Sequence, residues 1–118
     1  WYDYHKECGD FYTSKFLELG LLDKADVQNQ DKNWPAYKKY MMHGTSHHLG
    51  LDTHDYGILK DKFVENMVFT VEPGIYLPAE GFGVRIEDDL VIQNSGPAFN
   101  LMKNIPIEVE EIEELMNS

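Results

Sequence analysis

The stretch from Met41 to Gly57, MMHGTSHHLGLDTHDYG, narrows most what this chain can become. Four of the five histidines, His43, His47, His48 and His54, fall within it, while Gly44, Gly50 and Gly57 interrupt any helical or strand period. Such a segment is expected to be irregular, laid over regular elements and used for chemistry. A single histidine is more often a satisfied polar group than a ligand. The cluster gains meaning from the carboxylates downstream of it.

Two strand candidates carry those carboxylates. MVFTVEPGIYL, from Met67 to Leu77, sets Met67, Phe69 and Val71 on one face and Val68, Thr70 and Glu72 on the other, until Pro73-Gly74 interrupts it. VRIEDDLVI, from Val84 to Ile92, sets Val84, Ile86, Leu90 and Ile92 opposite Arg85, Glu87 and Asp89. Glu72 and Glu87 are thus flanked by residues that favour burial. An ionised carboxylate there requires a cation, supplied by Arg85, a protonated histidine or a metal ion, unless its face of the sheet is open to water. Histidine nitrogen with several carboxylate oxygens suits a divalent transition ion such as manganese, cobalt or zinc, and two ions would need a bridging carboxylate. Ions of this kind lower the pKa of bound water, and a neutral histidine nearby can move protons. The residues by themselves therefore point to metal-assisted hydrolysis.

Around this segment the pattern is mainly helical. Tyr4, Cys8, Phe11, Tyr12, Phe16 and Leu19 recur at spacings of three to four, which predicts a helix from Tyr2 to Leu19 stopped by Gly20. Asp23 to Asn33 reads as a loop or a short helical turn, and a second short helix runs from Trp34-Pro35 toward Met41. After Pro106, the residues Ile107, Val109, Ile112, Leu115 and Met116 share one face of a terminal helix from Ile107 to Met116. The class is α+β. With 118 residues and 42% hydrophobic content the chain fits one small domain with a modest core.

Charge and cysteine usage exclude several partners. A balance of 10 basic and 21 acidic residues, net charge −11, repels nucleic-acid phosphates and anionic membrane surfaces. The acidic run from Glu108 to Glu114 reads as the solvated face of the terminal helix. Cys8 is the single cysteine, so no internal disulfide forms, and it is expected to be a buried helix residue. No apolar run reaches the ~18 residues of a membrane span, and no secretory leader pattern is present. A cytoplasmic location is expected. The opening Trp1-Tyr2-Asp3-Tyr4, without an initiator methionine, suggests a piece of a longer protein.

HGTSHHLGLDTHD, TVEPGIYL and GVRIEDDLVI, in this order and spacing, resemble the aminopeptidase P and prolidase branch of the pita-bread metallopeptidases. LELGLLDKADV is similar to the helix and loop that precede them in that family. The resemblance implies that residues 1–118 form the C-terminal half of the catalytic domain, of α+β class with an antiparallel sheet and helices on one face. It implies that His47, Glu72 and Glu87 ligate metal, with Glu87 bridging two divalent ions, manganese first and cobalt or zinc otherwise. Glu72 would also help to activate the bridging water. His54 would handle a proton or stabilise the intermediate at the scissile carbonyl, His43 would bind and position substrate, and Arg85 would support the carboxylate network beside the substrate. His48 would be a neighbour with a packing or surface role and not a ligand. Asp52 and Asp55 would either orient the His54 ring or bond local backbone in turns.

By the same resemblance the substrate is a peptide with proline at its second position, cleaved before that proline. His43 and the GLD-x-HD continuation favour aminopeptidase P over prolidase. A pita-bread binding module that has lost its metals is the alternative from another class. The family draws two further aspartate ligands from strands preceding this region, and Asp3, Asp10, Asp23, Asp26 and Asp31 lie in helix and loop contexts that do not replace them. The isolated chain is therefore expected to be inactive, to bind metal weakly and to self-associate through its exposed inter-half face.

Overall fold

A computed structural model describes residues 1–58 and 60–118. The first element, α1, runs Tyr2–Glu18. It ends as the sequence predicts: Gly20 adopts φ +71°, the Leu21 N–H reaches the Phe16 carbonyl at 2.9 Å and the Gly20 N–H reaches that of Leu17 at 3.2 Å. This pair of bonds satisfies carbonyls that the helix end would otherwise leave unpaired. The expected short turn after it is α2, Lys24–Gln28, opened by a reciprocal cap in which the Asp26 N–H donates to Asp23 and the Asp23 N–H to Asp26. A single 3-10 turn, Ala36–Lys39, then leads into the histidine segment.

The two expected strands each divide. Met67 to Leu77 becomes β1, Val68–Val71, and β2, Gly74–Leu77. The second becomes β3, Phe82–Arg85, and β4, Asp88–Val91. β1 pairs antiparallel with β4 and β2 with β3, and β5, Phe99–Asn100, continues the first sheet beyond β4. The register is the same on both sides of the break, with Val71 opposite Asp88 and Gly74 opposite Arg85. The strands therefore form one long ribbon that is interrupted where Pro73 removes a ladder donor. The residues at that interruption are Glu72-Pro73 on one side and Ile86-Glu87 on the other.

Residues 45 to 49 run along the free edge of β1. The Glu72 N–H donates to the Thr45 carbonyl at 2.8 Å, the Thr70 N–H to that of His47 at 3.0 Å and the Leu49 N–H to that of Val68 at 3.2 Å, with His48 bridging to Phe69. The irregular segment thus acts locally as an edge strand. Its attachment to α1 comes from two hydroxyl pairs, Tyr4 with Ser46 at 2.7 Å and Tyr12 with Thr45 at 2.9 Å. Burial pushes the Tyr4 phenol up to about 12 and raises that of Tyr12 as well.

The core lies between α1 and β2. Tyr12, Phe16, Leu22 and Met41 are buried together, with Ile75, Tyr76, Tyr37 and Tyr40 packed against them. It is smaller than the sequence pattern implies. Cys8 is half-buried, and Phe11 and Leu19, expected on the buried face of α1, stay 59% and 62% exposed. They line an open apolar groove of about 390 Å³ between α1 and the ribbon, facing Pro73, Ile75, Val84 and Ile86. The terminal helix α3, Val109–Met116, starts two residues later than expected and buries none of its apolar side chains. The radius of gyration is 16.5 Å, against about 13.5 Å for a compact domain of this length.

Candidate metal centre

Register, more than sequence distance, assembles the site. Continuing the ladder from Val71–Asp88 toward Gly74–Arg85 sets Glu72 directly opposite Glu87. The Glu72 N–H points away from β4 to Thr45, so this is a pair without ladder bonds, the kind in which facing side chains come closest. Like charges directly opposite destabilise a sheet. His47 adds to the same face from the other edge of β1, where its backbone N–H donates to Thr70 Oγ1 at 3.1 Å.

The ligand atoms converge. One nitrogen of His47 and one oxygen each of Glu72 and Glu87 lie within 4.8 Å of one another. Ligand bonds of about 2.0–2.2 Å place the donors of one ion up to about 4.4 Å apart, so small side-chain rotations suffice to close the group on a cation. The His47 tautomer suits this role. Its Nδ1 lies 2.9 Å from the His48 carbonyl oxygen, an acceptor only, so Nδ1 carries a proton and Nε2 is the nitrogen turned inward. That Nε2 is 3.3 Å from Glu72 Oε1. Two lone pairs facing each other at this distance call for a cation between them or a protonated ring.

Glu72 is the best-held carboxylate. Its side chain is 12% exposed, accepts from Thr70 Oγ1 at 3.3 Å and lies 3.5 Å from the Arg85 guanidinium. One positive charge thus serves a site with two carboxylates, which leaves net negative charge for a divalent ion to neutralise. Glu87 is exposed. The structure also brings His54 to the site, its ring 4.4 Å from that of His47 and nearly perpendicular to it.

His43 stands one step further along the ribbon. Its Nδ1 lies 2.8 Å from the Gly44 carbonyl oxygen and its Nε2 2.7 Å from the Tyr76 hydroxyl. The carbonyl fixes Nδ1 as the donor, and in that tautomer Nε2 is the acceptor for the Tyr76 O–H. Sequence reasoning does not single out Tyr76, although strand alternation places it with Glu72 on one face. Gly74 and Gly83 leave the room its ring occupies, since a Cβ at Gly83 would lie 2.6 Å from Tyr76 Cδ1 and one at Gly74 2.7 Å from the hydroxyl. His48 stacks on Trp1 at 4.8 Å, so its ring is turned away from the ligand group. Asp55 bonds the backbone N–H groups of Leu51 and Tyr56, which decides for local turn chemistry over a bond to the His54 ring.

The early aspartates have local roles. Asp10 pairs with Lys6, Asp23 and Asp26 cap α2, and Asp31 accepts from the Asn33 and Trp34 N–H groups.

The profile of metallopeptidase family M24 matches residues 1–94, the span that carries every residue of this centre. The chain belongs to that family. It is 42% identical over 117 residues to the Xaa-Pro aminopeptidase of Haemophilus influenzae, covering 89% of this chain and 26% of that protein. With the Xaa-Pro aminopeptidase of Escherichia coli the identity is 41% over 116 residues, covering 88% and 26%. Among solved structures, aminopeptidase PepP of Pseudomonas aeruginosa superposes with a TM-score of 0.80 at 34% identity, covering 99% of this chain and 29% of that one. The M24 chain therefore spans about a quarter of the length of these relatives, and its fold is the pita-bread α+β fold of aminopeptidase P. Among the described residues no helix is long and apolar enough to cross a membrane.

Proposed function

We propose that this chain is the C-terminal half of the catalytic domain of a metal-dependent Xaa-Pro aminopeptidase, which releases an N-terminal residue that precedes proline. The observation that carries this reading is the convergence of His47, Glu72 and Glu87 at the break in the ribbon. These donors would hold divalent ions, two in the complete protein and manganese by preference, with two aspartates from the preceding half completing the set. When bound, such ions supply a Lewis acid and a nucleophile available near neutral pH.

The chain's own groups divide the remaining work. Glu72, largely buried and fixed by Thr70 and Arg85, would take the proton of the attacking water. His54, beside His47, would hold a proton at the scissile carbonyl. His43 has both ring nitrogens engaged, so it would offer substrate its ring face and help shape the site for the proline ring. Arg85, paired with Glu72, would support the carboxylate network beside the substrate. Convergence of intact ligands favours a catalyst over a binding module that has lost its metals.

Incompleteness of the ligand set and of the core has its own consequences. The chain alone would be inactive, would bind metal weakly and would associate with itself through the α1 groove, where the preceding half would pack in the complete cytoplasmic protein. The test uses the full-length protein with manganese and two substrates, Xaa-Pro and Xaa-Pro-Yaa. Release of the first residue from the tripeptide is the predicted result. Cleavage of the dipeptide only would assign it as a prolidase, and cleavage of neither would refute the reading.

A further inference from the structure

His54 lies on an exposed loop, yet its ring stands against His47. Residues 50 to 57 form no strand or helix, and Leu51 and Tyr56 at either side of the turn are 103% and 84% exposed. Something other than burial must hold such a loop in one shape. Apart from a longer bond from the Gly50 N–H to the Asp52 carbonyl at 3.3 Å, the bonds that do so meet at Asp55. One of its oxygens accepts the Leu51 N–H at 2.9 Å, the other accepts the Tyr56 N–H at 2.7 Å, and its own N–H donates to the His48 carbonyl at 3.0 Å. That last bond ties the loop to the residue beside His47.

Two glycines make the closure sterically feasible. A Cβ at Gly50 would overlap the Asp55 carboxylate, and one at Gly57 would overlap the His48 ring. The loop therefore leaves the edge strand at Gly50, crosses over the carboxylate and returns against His48 at Gly57, and His54 is delivered in between. Loss of the carboxylate would release both of its bonds at once and leave the backbone to hold the span that carries His54.

We propose that Asp55 is a positioning residue for His54, its carboxylate stapling the loop so that the imidazole stays at the metal face. The proposal rests on the reading that His54 acts at the scissile carbonyl, but its structural part can be measured separately. Asp55 would touch neither substrate nor metal.

The experiment uses the full-length protein carrying Asp55→Ala, Asp55→Asn or Gly50→Ala. Histidine-labelled, metal-free protein reports the contact between the His47 and His54 rings by nuclear Overhauser effect, and steady-state kinetics on Xaa-Pro-Yaa with a manganese titration reports function. Asp55→Ala should abolish the ring contact and lower kcat about tenfold to a hundredfold, the usual effect of a misplaced catalytic group, with KM and manganese affinity little changed. Asp55→Asn, which keeps one acceptor oxygen, should fall between, and Gly50→Ala should act like Asp55→Ala although the carboxylate is intact. Retention of the ring contact in Asp55→Ala would overturn the proposal, as would a parallel loss of manganese affinity, the mark of general destabilisation. If the unsubstituted protein cleaves no Xaa-Pro bond the functional reading fails, while the ring contact still decides the role of Asp55.

Discussion

The two faces of the strand ribbon differ sharply in how completely they are built. On one, His47, Glu72, Glu87, Arg85, Tyr76 and His43 are held by named hydrogen bonds or an ion pair, or by the register itself. On the other, α1 leaves an apolar groove open, and Phe11, Leu19, Val84 and Ile86 remain exposed. The polar face is set by short-range register and by one neighbouring segment, all inside this chain. The apolar face is left uncovered by the described residues. Ligand geometry and core completion are thus separable in this fold, and only the first is local.

The largest effect should come from the polar face. His47→Ala or Glu87→Ala in the full-length protein should lower kcat/KM about a thousandfold or more, since a lost metal ligand costs several kcal/mol of transition-state stabilisation. Metal content and peptide release measured together check this, and activity within tenfold of the unsubstituted protein would separate these residues from the chemistry. On the apolar face, Phe16→Ala removes a side chain that is 1% exposed at the centre of the small core. It should cost about 3–5 kcal/mol and unfold the isolated chain, as read by denaturant titration. Phe11→Ser sharpens the contrast: it should leave the isolated chain nearly as stable and less prone to associate, yet destabilise the full-length protein, where the groove would be filled.

Legibility in the sequence divides along the same line. The helix ending at Gly20, the irregular histidine segment and the alternation in both strands are legible because period and glycine placement are local. The approach of Glu72 to Glu87 is implied by the family resemblance and not by periodicity, because it depends on a register that no propensity encodes. Glu87 is expected within a continuous strand and Glu72 at the point where Pro73-Gly74 interrupts one; both lie at the junctions, because Pro73 breaks the ladder there. Tyr76 escapes notice since an aromatic in a strand ordinarily reads as packing, although Gly74 and Gly83 mark the space its ring needs. Phe11 and Leu19 are expected to be buried because helical periodicity reports which face is apolar, not what covers it.

Smaller effects probe the joints between the two faces. Tyr76→Phe removes the O–H that His43 accepts and should lower kcat/KM about tenfold, the worth of one such bond. Titration of Tyr4 supplies the smallest. Burial raises its phenol to about 12, so folding favours the neutral form. The stability this confers is complete below the ordinary tyrosine pKa near 10 and is lost as pH rises through about 12. An alkaline unfolding limb, followed by phenolate absorbance, should flatten in Tyr4→Phe.

The most direct test of the convergence itself is anomalous scattering at the manganese edge from crystals of the full-length protein. The predicted result is metal density within bonding distance of His47 Nε2 and of carboxylate oxygens from both Glu72 and Glu87. Density bound elsewhere, with His47 and Glu87 turned from a common centre, would contradict it.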